Sequence, residues 1–314
     1  MLNKKINVND FAENLEIEIK KLNFSFIENS NEFILKINDI NIKFNKSKSK
    51  YTEKPVKFLR EFLKKGKIYE PGMIATLYLL RNLIKKKVIF YDIGAEYGYF
   101  SFIASSFFKE CSCILIDGNP LTSEIVGSLK NSNNNFKIFN VLLGANNDYQ
   151  TYLVEGYNFI NKNSSYFLMT LYKRKIKFFL KKILKFCGLN YYNPSPLVAE
   201  IEQVQLPKIF QEKNSDIIEI FKIDTEGSQA NFLPPYIDDL CSRKPIILIE
   251  LDSHEKMQKY KKTNNDLLQL FMNKNYKAFW IDHRKGQKVS IINSLKIEND
   301  RNSLLILLPN EFFK

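Results

Sequence analysis

Apolar residues in this chain form short continuous runs that alternate with segments of helical periodicity. A continuous apolar run bounded by turn residues is typical of a strand buried on both faces of a parallel sheet. Five such strands are predicted, at residues 88–93, 113–117, 136–142, 217–223 and 245–251. Helical patterns follow several of them, which predicts right-handed strand–helix–strand crossovers. Two late strands, at 276–281 and 303–308, complete a predicted seven-stranded, mostly parallel sheet with helices on both faces.

The first 68 residues have a different pattern and are predicted to form a small α+β extension. A weak helical periodicity runs through residues 1–30, and strict alternation within residues 32–44 predicts a β-hairpin. Two helices are predicted next, at 56–63 and 73–84. We therefore divide the chain into an extension, 1–68, and an α/β domain, 69–314, with an insertion at about 157–200.

A glycine motif follows the first predicted core strand. It reads D-x-G-A-x-x-G and contains Asp92, Gly94, Ala95, Glu96 and Gly98. Glycine permits positive φ and lets a ligand approach the backbone closely, and the N-terminus of the following helix offers free N–H groups to an anion. The pattern differs from the G-x-G-x-x-G of dinucleotide-binding folds. The alternative is an ordinary strand–turn–helix junction without a ligand.

A second acid, Asp117, ends the second predicted core strand, and Asn119 follows it. Ligands of open parallel sheets bind beyond the carboxyl ends of the strands, where an acid can accept both hydroxyls of a ribose. A turn or helix-capping aspartate is the alternative. The glycine motif about twenty residues earlier favours the ligand-binding interpretation.

Two further strand ends carry polar residues that are suited to chemistry. Asp224 follows the fourth predicted core strand, and Glu250 and His254 lie at the end of the fifth. Group transfer to a hydroxyl needs in-line positioning and a base for the proton, and a histidine has a suitable ordinary pKa. Mg²⁺, which prefers oxygen ligands, is an alternative occupant of Asp224, Glu250 and Asp252, but we do not favour it.

Taken together, these motifs resemble the FkbM family of S-adenosylmethionine-dependent methyltransferases. The family patterns V-x-D-x-G-A-N-x-G-x-x-S, E-P-N-P, K-I-D-x-E-G-x-E and L-x-E-x-H are met, with some departures, at 88–101, 117–120, 222–229 and 248–254. The resemblance covers about residues 69–309. It implies a Rossmann-like class I methyltransferase fold, S-adenosylmethionine as cofactor, and O-methylation, often of a sugar or polyketide hydroxyl.

The resemblance also implies a set of site residues. The predicted cofactor-binding residues are Glu70, Asp92, Gly94, Ala95, Glu96, Gly98, Ser101, Asp117, Asn119, Asn140 and Asp224. The predicted catalytic residues are His254, Asp224 and Glu250, with His254 as the preferred base.

Three positions depart from the family pattern: Glu96 replaces an asparagine, Gln229 a glutamate and Asp117 a glutamate. The extra acid at Glu96 would lie near the methionine carboxylate of the cofactor, and it would either weaken binding or require a nearby cation. It leaves open an alternative function, a catalytically degenerate module of the same fold that binds a membrane surface or a lipid-linked glycan.

The formal net charge is +13, from 47 Lys and Arg against 34 Asp and Glu. More than half of it comes from one amphipathic segment, which begins at Leu171, ends at Cys187 and contains seven cations and no acid. Such a helix suits an anionic membrane surface. The alternative is a helix that packs its apolar face on the domain and exposes its lysines.

Other classes of protein are not favoured. Nucleic acid is not an expected partner because the charge is concentrated in one segment instead of being spread along a groove with aromatic residues. The four cysteines lack C-x-x-C spacing, which argues against zinc. With no signal-peptide core and no apolar run of about 20 residues, we expect a cytoplasmic protein, peripheral on the inner face of the membrane if the basic helix binds there. Its expected partner is a small-molecule or glycan acceptor.

Overall fold

A computed structural model describes residues 5–46, 53–132, 134–155, 158–161, 197–282, 288–293 and 303–314. The predicted basic helix at 171–187 lies outside these ranges, so its membrane role stays a prediction, which sedimentation with anionic liposomes would test. Within the described ranges, no helix has both the length and the apolar character that crossing a membrane requires.

The N-terminal extension consists of two helices and a three-stranded antiparallel sheet. Its elements are α1 (Val8–Lys21), β1 (Phe24–Glu28), β2 (Glu32–Ile37), β3 (Ile40–Asn45) and α2 (Glu53–Lys64). The predicted hairpin is confirmed as β2 and β3, which turn through Asn38 at φ +50°, a conformation that asparagine tolerates. The predicted helix at 1–30 is too long, because the chain turns after α1 and β1 pairs with β2.

The α/β core starts with α3 (Pro71–Leu83) and continues as alternating strands and helices. These are β4 (Lys87–Ile93), α4 (Tyr99–Phe107), β5 (Cys111–Ile116), α5 (Thr122–Leu129) and β6 (Phe136–Phe139). The chain then enters a second sheet of four strands, β7 (Leu142–Leu143), β8 (Asp148–Glu155), β9 (Asn158–Asn161) and β10 (Leu197–Val204). This sheet, which flanks the predicted insertion, was not expected from the sequence.

The chain returns to the main sheet after β10. The remaining elements are β11 (Ile217–Ile223), α6 (Gln229–Phe232), α7 (Ile237–Ser242), β12 (Ile246–Leu251), α8 (His254–Gln258), α9 (Asn264–Met272), β13 (Tyr276–Ile281), β14 (Val289–Ile292) and β15 (Ser303–Pro309). The strand order is β14-β13-β15-β12-β11-β4-β5-β6. Strands β12 to β6 in this order run parallel, and β15, β13 and β14 are antiparallel to their neighbours.

The predicted α/β fold is confirmed, with one correction to the strand count. The sheet has eight strands among the described residues instead of seven. The additional strand is β14, which pairs with β13 at the sheet edge and lies in the connection between the two late predicted strands. Its pairing with β13 places the partly buried Ile291 and the buried Val289 against the core.

The switch point of the sheet lies between β4 and β11. From β4 the chain proceeds through β5 and β6 on one side, and it later adds β11 and β12 on the other. Open parallel sheets bind their ligands at the carboxyl ends of the strands at such a point. Here the two strand ends touch, because the Asp224 amide donates a hydrogen bond to the Ile93 carbonyl at 3.0 Å.

The extension packs on one face of the main sheet and shares its apolar core. The rings of Phe44 on β3 and Phe102 on α4 lie 4.7 Å apart, and those of Phe11 on α1 and Phe279 on β13 lie 4.8 Å apart. All four side chains are almost completely buried. These contacts fix the extension beside the helices that lead into the switch point.

Candidate active site at the switch point

The loop after β4 requires glycine at its first turn. Gly94 has φ +76°, and a Cβ at this position would lie 1.7 Å from the main-chain oxygen of Asp224. Its amide and that of Ala95 both donate to the Ile116 carbonyl, at 2.9 and 3.2 Å. The loop therefore lies tightly between the ends of β5 and β11.

Glu96 and Gly98 complete this loop, both in the left-handed region at φ +52° and +77°. Asparagine, the residue of the family pattern at position 96, adopts this conformation more readily than glutamate, so the departure carries a backbone cost of about 1 kcal/mol. The Glu96 side chain is exposed to solvent. Water screens its charge, which reduces the repulsion that was expected against a bound carboxylate.

Asp92 and Ser101 lie beneath the loop and are both fully buried. Asp92 Oδ2 accepts hydrogen bonds from the Ser101 hydroxyl at 2.7 Å and from the Ser101 amide at 3.2 Å. This pair ties the last turn of β4 to the first turn of α4. Of the predicted cofactor-binding residues, these two are placed to support the loop.

Asp117 lies directly after β5, beside the loop from Gly94 to Gly98, which we call the glycine loop. Its Oδ2 accepts from the Glu96 amide and its Oδ1 from the Asn119 amide, each at 2.7 Å. Burial raises the pKa of Asp117, and the two amide hydrogen bonds oppose that rise. Each carboxylate oxygen keeps acceptor capacity, and the residue is partly exposed, so both oxygens can still accept a hydroxyl.

Asn119 and Asn140 shape the turn that carries Asp117. The Asn140 side chain donates to the Asn119 carbonyl at 2.7 Å and accepts from the Ser123 hydroxyl. The Asn119 side chain accepts from the Leu121 amide at 3.0 Å. The structure thus gives both predicted residues positioning contacts.

Three carboxylates meet on the other side of the loop. Glu70 precedes α3 at φ +47°, Asp224 follows β11 and Glu250 lies near the end of β12. One oxygen of each lies within 4.8 Å of the other two, and the Glu250 side chain is hydrogen-bonded to Asp224. Burial raises the pKa of Asp224 to about 8, with Lys222 opposing the rise and Glu250 adding to it.

Lys222 provides the positive charge at the centre of the site. Its side chain is 3% exposed, and Nζ lies 3.2 Å from Asp92 Oδ1 and 3.4 Å from Asp224 Oδ2. It also donates to the Gly94 carbonyl at 2.8 Å. Although burial works against its charge, Asp92 and Asp224 raise the pKa of Lys222. No role was predicted for Lys222 from the sequence, although a lysine within the apolar run of β11 is an unusual feature.

A divalent cation would find oxygen ligands at Glu70, Asp224 and Glu250. The magnesium alternative from the sequence had Asp252 in place of Glu70. The structure removes Asp252 from this group, since its carboxylate contacts Gln229 at 2.8 Å and Lys256 at 2.9 Å.

Gln229 joins the ends of β11 and β12. It is fully buried, and its Nε2 donates to Asp252 Oδ2 at 2.8 Å and to the Glu250 carbonyl at 3.1 Å. Its Oε1 accepts from the Thr225 hydroxyl and the Gly227 amide, at 2.7 and 3.1 Å. At neutral pH a glutamine can donate a hydrogen bond to the buried Asp252 carboxylate, whereas an ionised glutamate cannot. Glutamine in place of the family glutamate therefore suits the acidic neighbour at this position.

Replacing Gln229 by Glu should lower the free energy of unfolding by about 2 kcal/mol at pH 7, because the new carboxyl would lie against the buried carboxyl of Asp252. In the folded state these two carboxyls would share a proton, which raises their pKa. The loss of unfolding free energy should therefore grow as the pH rises from 5 to 8. Urea unfolding at several pH values measures this. The control is the double variant Gln229→Glu with Asp252→Asn, which restores an amide–carboxylate pair and should recover most of the stability. A single variant as stable as the unmodified protein at pH 8 would contradict this role of Gln229.

His254 is the first residue of α8 and is exposed. It is not part of the group formed by Glu70, Asp224 and Glu250. Its assignment as the preferred base stays a prediction, and the geometry favours Asp224 for that role.

Comparison with known proteins identifies a matching family. A profile of the methyltransferase FkbM domain matches residues 92–278, a range that begins at Asp92 and includes Asp117, Lys222, Asp224 and Glu250. No curated protein matches the sequence significantly.

Two of the solved structures that match the chain share little of its sequence. Methyltransferase FkbM from Methylobacillus flagellatus KT has 11% identity and a TM-score of 0.41, and the match covers 82% of this chain and 55% of that one. Precorrin-6y C5,15-methyltransferase from Geobacter metallireducens GS-15 has 9% identity and a TM-score of 0.32, with 74% and 86% covered. Similarity at this level carries no argument about function. Because the domain profile spans more than half of the 314 residues, the chain belongs to the FkbM methyltransferase family.

Proposed function

We propose that this protein is an S-adenosylmethionine-dependent O-methyltransferase that acts on a hydroxyl of a sugar or glycan. The observation that carries the proposal is the placement of Asp117 against the glycine loop at the switch point, with a cluster of three carboxylates, two of them buried, on the other side of that loop. When bound, S-adenosylmethionine supplies a methyl group on a positively charged sulfur.

The residues at the switch point fit this cofactor. Asp117 has acceptor capacity on both oxygens for the ribose hydroxyls. The first turn of α4 offers N–H groups to the methionine carboxylate. Glu70, Asp224 and Glu250 against Lys222 leave an excess of buried negative charge, which suits a cationic ligand.

Asp224 is the proposed base for the acceptor hydroxyl. A pKa of about 8 keeps a substantial fraction of the carboxyl protonated at neutral pH, and only the ionised form can accept a proton. The hydrogen bond between Asp224 and Glu250 and the charge of Lys222 hold Asp224 in place. On this account the rate of methyl transfer rises with pH up to about 8.

Replacing Asp117 by Ala should weaken S-adenosylmethionine binding at least tenfold, about 1.4 kcal/mol, because two hydroxyls lose a charged acceptor. Isothermal titration calorimetry measures the affinity directly. The matched control is Asp216→Ala, which removes an exposed aspartate at the opposite end of β11 and should leave the affinity unchanged. Equal affinity of the Asp117→Ala variant and the unmodified protein would overturn the assignment.

The alternative of a catalytically degenerate module rested on Glu96 and on the basic segment. Because Glu96 is exposed, its charge is a weaker argument against cofactor binding. The basic segment at 171–187 lies outside the described residues. The enzyme is therefore the function that we propose.

A further inference from the structure

A cavity of about 630 Å³ lies where the N-terminal extension meets the start of α3. We name it the extension cleft and define it by Phe24, Phe58, Phe62, Tyr69 and Glu70. We infer that the extension cleft binds the methyl acceptor, and that this acceptor is a pyranose whose apolar ring face packs on the aromatic side chains. This inference rests on the proposed function and adds the location of the acceptor and the role of the extension.

Aromatic rings form the wall of the cleft. The ring of Phe58 lies 4.9 Å from that of Phe62 and 5.3 Å from that of Tyr69, and the rings of Phe62 and Tyr69 lie 5.7 Å apart. Phe58 is 36% exposed, although it lies among apolar neighbours. Partly exposed aromatic rings gathered in a concave site are typical of ligand-binding pockets.

Glu70 joins the cleft to the carboxylates of the active site. Glu70 lines the cleft and also has an oxygen within 4.8 Å of oxygens of Asp224 and Glu250. Tyr69 connects the two regions, because its ring lines the cleft and its hydroxyl is hydrogen-bonded to Glu70. Burial and the charges of Glu70 and Asp224 raise the pKa of Tyr69, so its hydroxyl stays protonated.

The size and lining of the cleft indicate which class of ligand it can bind. Small-molecule sites in proteins enclose about 300–1,000 Å³, are mostly apolar and carry a few polar groups that fix orientation. A pyranose offers a C–H face to aromatic rings and hydroxyls to a carboxylate. Here Phe58 and Phe62 supply the rings, and Glu70 supplies the carboxylate beside the proposed base.

A second cavity, of about 550 Å³, is wrongly placed for this role. Its lining includes Ile217 and Ile218, which begin β11 at the end of the sheet opposite Asp224. The extension cleft, in contrast, includes Glu70, whose carboxylate meets Asp224 and Glu250 at the carboxyl ends of β11 and β12.

The extension supplies most of this wall. Phe24 lies on β1 and Phe58 and Phe62 lie on α2, all outside the residues 92–278 that match the family. The extension is held in place by the buried contact of Phe44 with Phe102. Acceptor specificity would then reside in a part of the chain that the family match does not cover.

Saturation-transfer NMR with a mixture of methyl pyranosides tests this inference on protein loaded with S-adenosylhomocysteine. Saturation of the protein should reach the ring C–H protons of at least one pyranoside, and Phe58→Leu should reduce that signal at least tenfold. Leucine keeps most of the apolar volume at this half-exposed site, and thermal unfolding checks that the variant is folded. Tyr149→Ala, which removes an exposed aromatic ring outside the cleft, is the matched control and should leave the signal unchanged.

Two results would overturn the inference: no transfer to any pyranoside, or an equal signal from Phe58→Leu. Calorimetry with S-adenosylhomocysteine in the same samples separates this failure from failure of the proposed function. Cofactor binding without pyranoside contact refutes the cleft and leaves the methyltransferase standing. Pyranoside contact that depends on Phe58, without any cofactor binding, refutes the proposed function and leaves the cleft as a sugar site.

Discussion

The variant Gly94→Ala is expected to lose more than 3 kcal/mol of the free energy of unfolding and to lose cofactor binding. The new Cβ would lie 1.7 Å from the Asp224 carbonyl oxygen, and its backbone φ of +76° already disfavours any side chain. The contacted atom is main chain, so no side-chain rotation can relieve the overlap. The ends of β4 and β11 must therefore move apart, which displaces Asp224 and opens the glycine loop. Denaturant unfolding and calorimetry with S-adenosylmethionine measure the two losses.

A matched control separates overlap from backbone strain. Gly66 also has positive φ, +65°, but a Cβ there would have no heavy atom within 4 Å. The variant Gly66→Ala should therefore lose about 1 kcal/mol, the cost of the left-handed conformation alone. Equal losses in the two variants would show that contact with Asp224 does not determine the requirement for Gly94.

The variant Lys222→Met should lose about 3–5 kcal/mol of the free energy of unfolding at pH 7, because Asp92 and Asp224 would stay buried without their cation. It also removes the hydrogen bond to the Gly94 carbonyl and so loosens the loop. The unpaired carboxyls would have raised pKa values, and the folded state would then bind more protons than the unfolded chain. The loss should accordingly shrink as the pH falls from 8 to 5.

The pair of Lys87 and Glu110 provides the comparison for Lys222. These side chains lie 3.1 Å apart but are 63% and 58% exposed. Lys87→Met should cost less than about 1 kcal/mol, as is usual for surface ion pairs. Urea unfolding of both variants across this pH range gives the difference. A loss for Lys222→Met no larger than that for Lys87→Met would contradict a central electrostatic role of Lys222.

The main sheet was predictable because its strands are buried on both faces. Continuous apolar runs such as those of β4 and β12 are typical of strands in the centre of a parallel sheet. The glycine turn after β4 then marks where the strand ends and the next helix begins. The strands of the second sheet, such as β8 with its polar residues Asp148 and Gln150, lack that signal. β14 was missed because four residues are too few to show a period.

The candidate site was predictable as a list of residues but only partly as an arrangement. Asp117 and Gly94 were identified because their chemistry follows from their position at strand ends. The sequence did not show that Glu70 would meet Asp224, because one precedes a helix and the other follows a strand far along the chain. The role of the buried Gln229 amide likewise became clear only from its contact with Asp252, which directly follows β12.

A crystal structure of the protein with S-adenosylhomocysteine tests the central claim most directly. We expect both ribose hydroxyls within hydrogen-bond distance of the Asp117 carboxylate, the methionine end against the loop from Gly94 to Gly98, and the sulfur facing the side where Asp224 lies. A ligand bound elsewhere, or one at this edge whose ribose makes no contact with Asp117, would contradict the account.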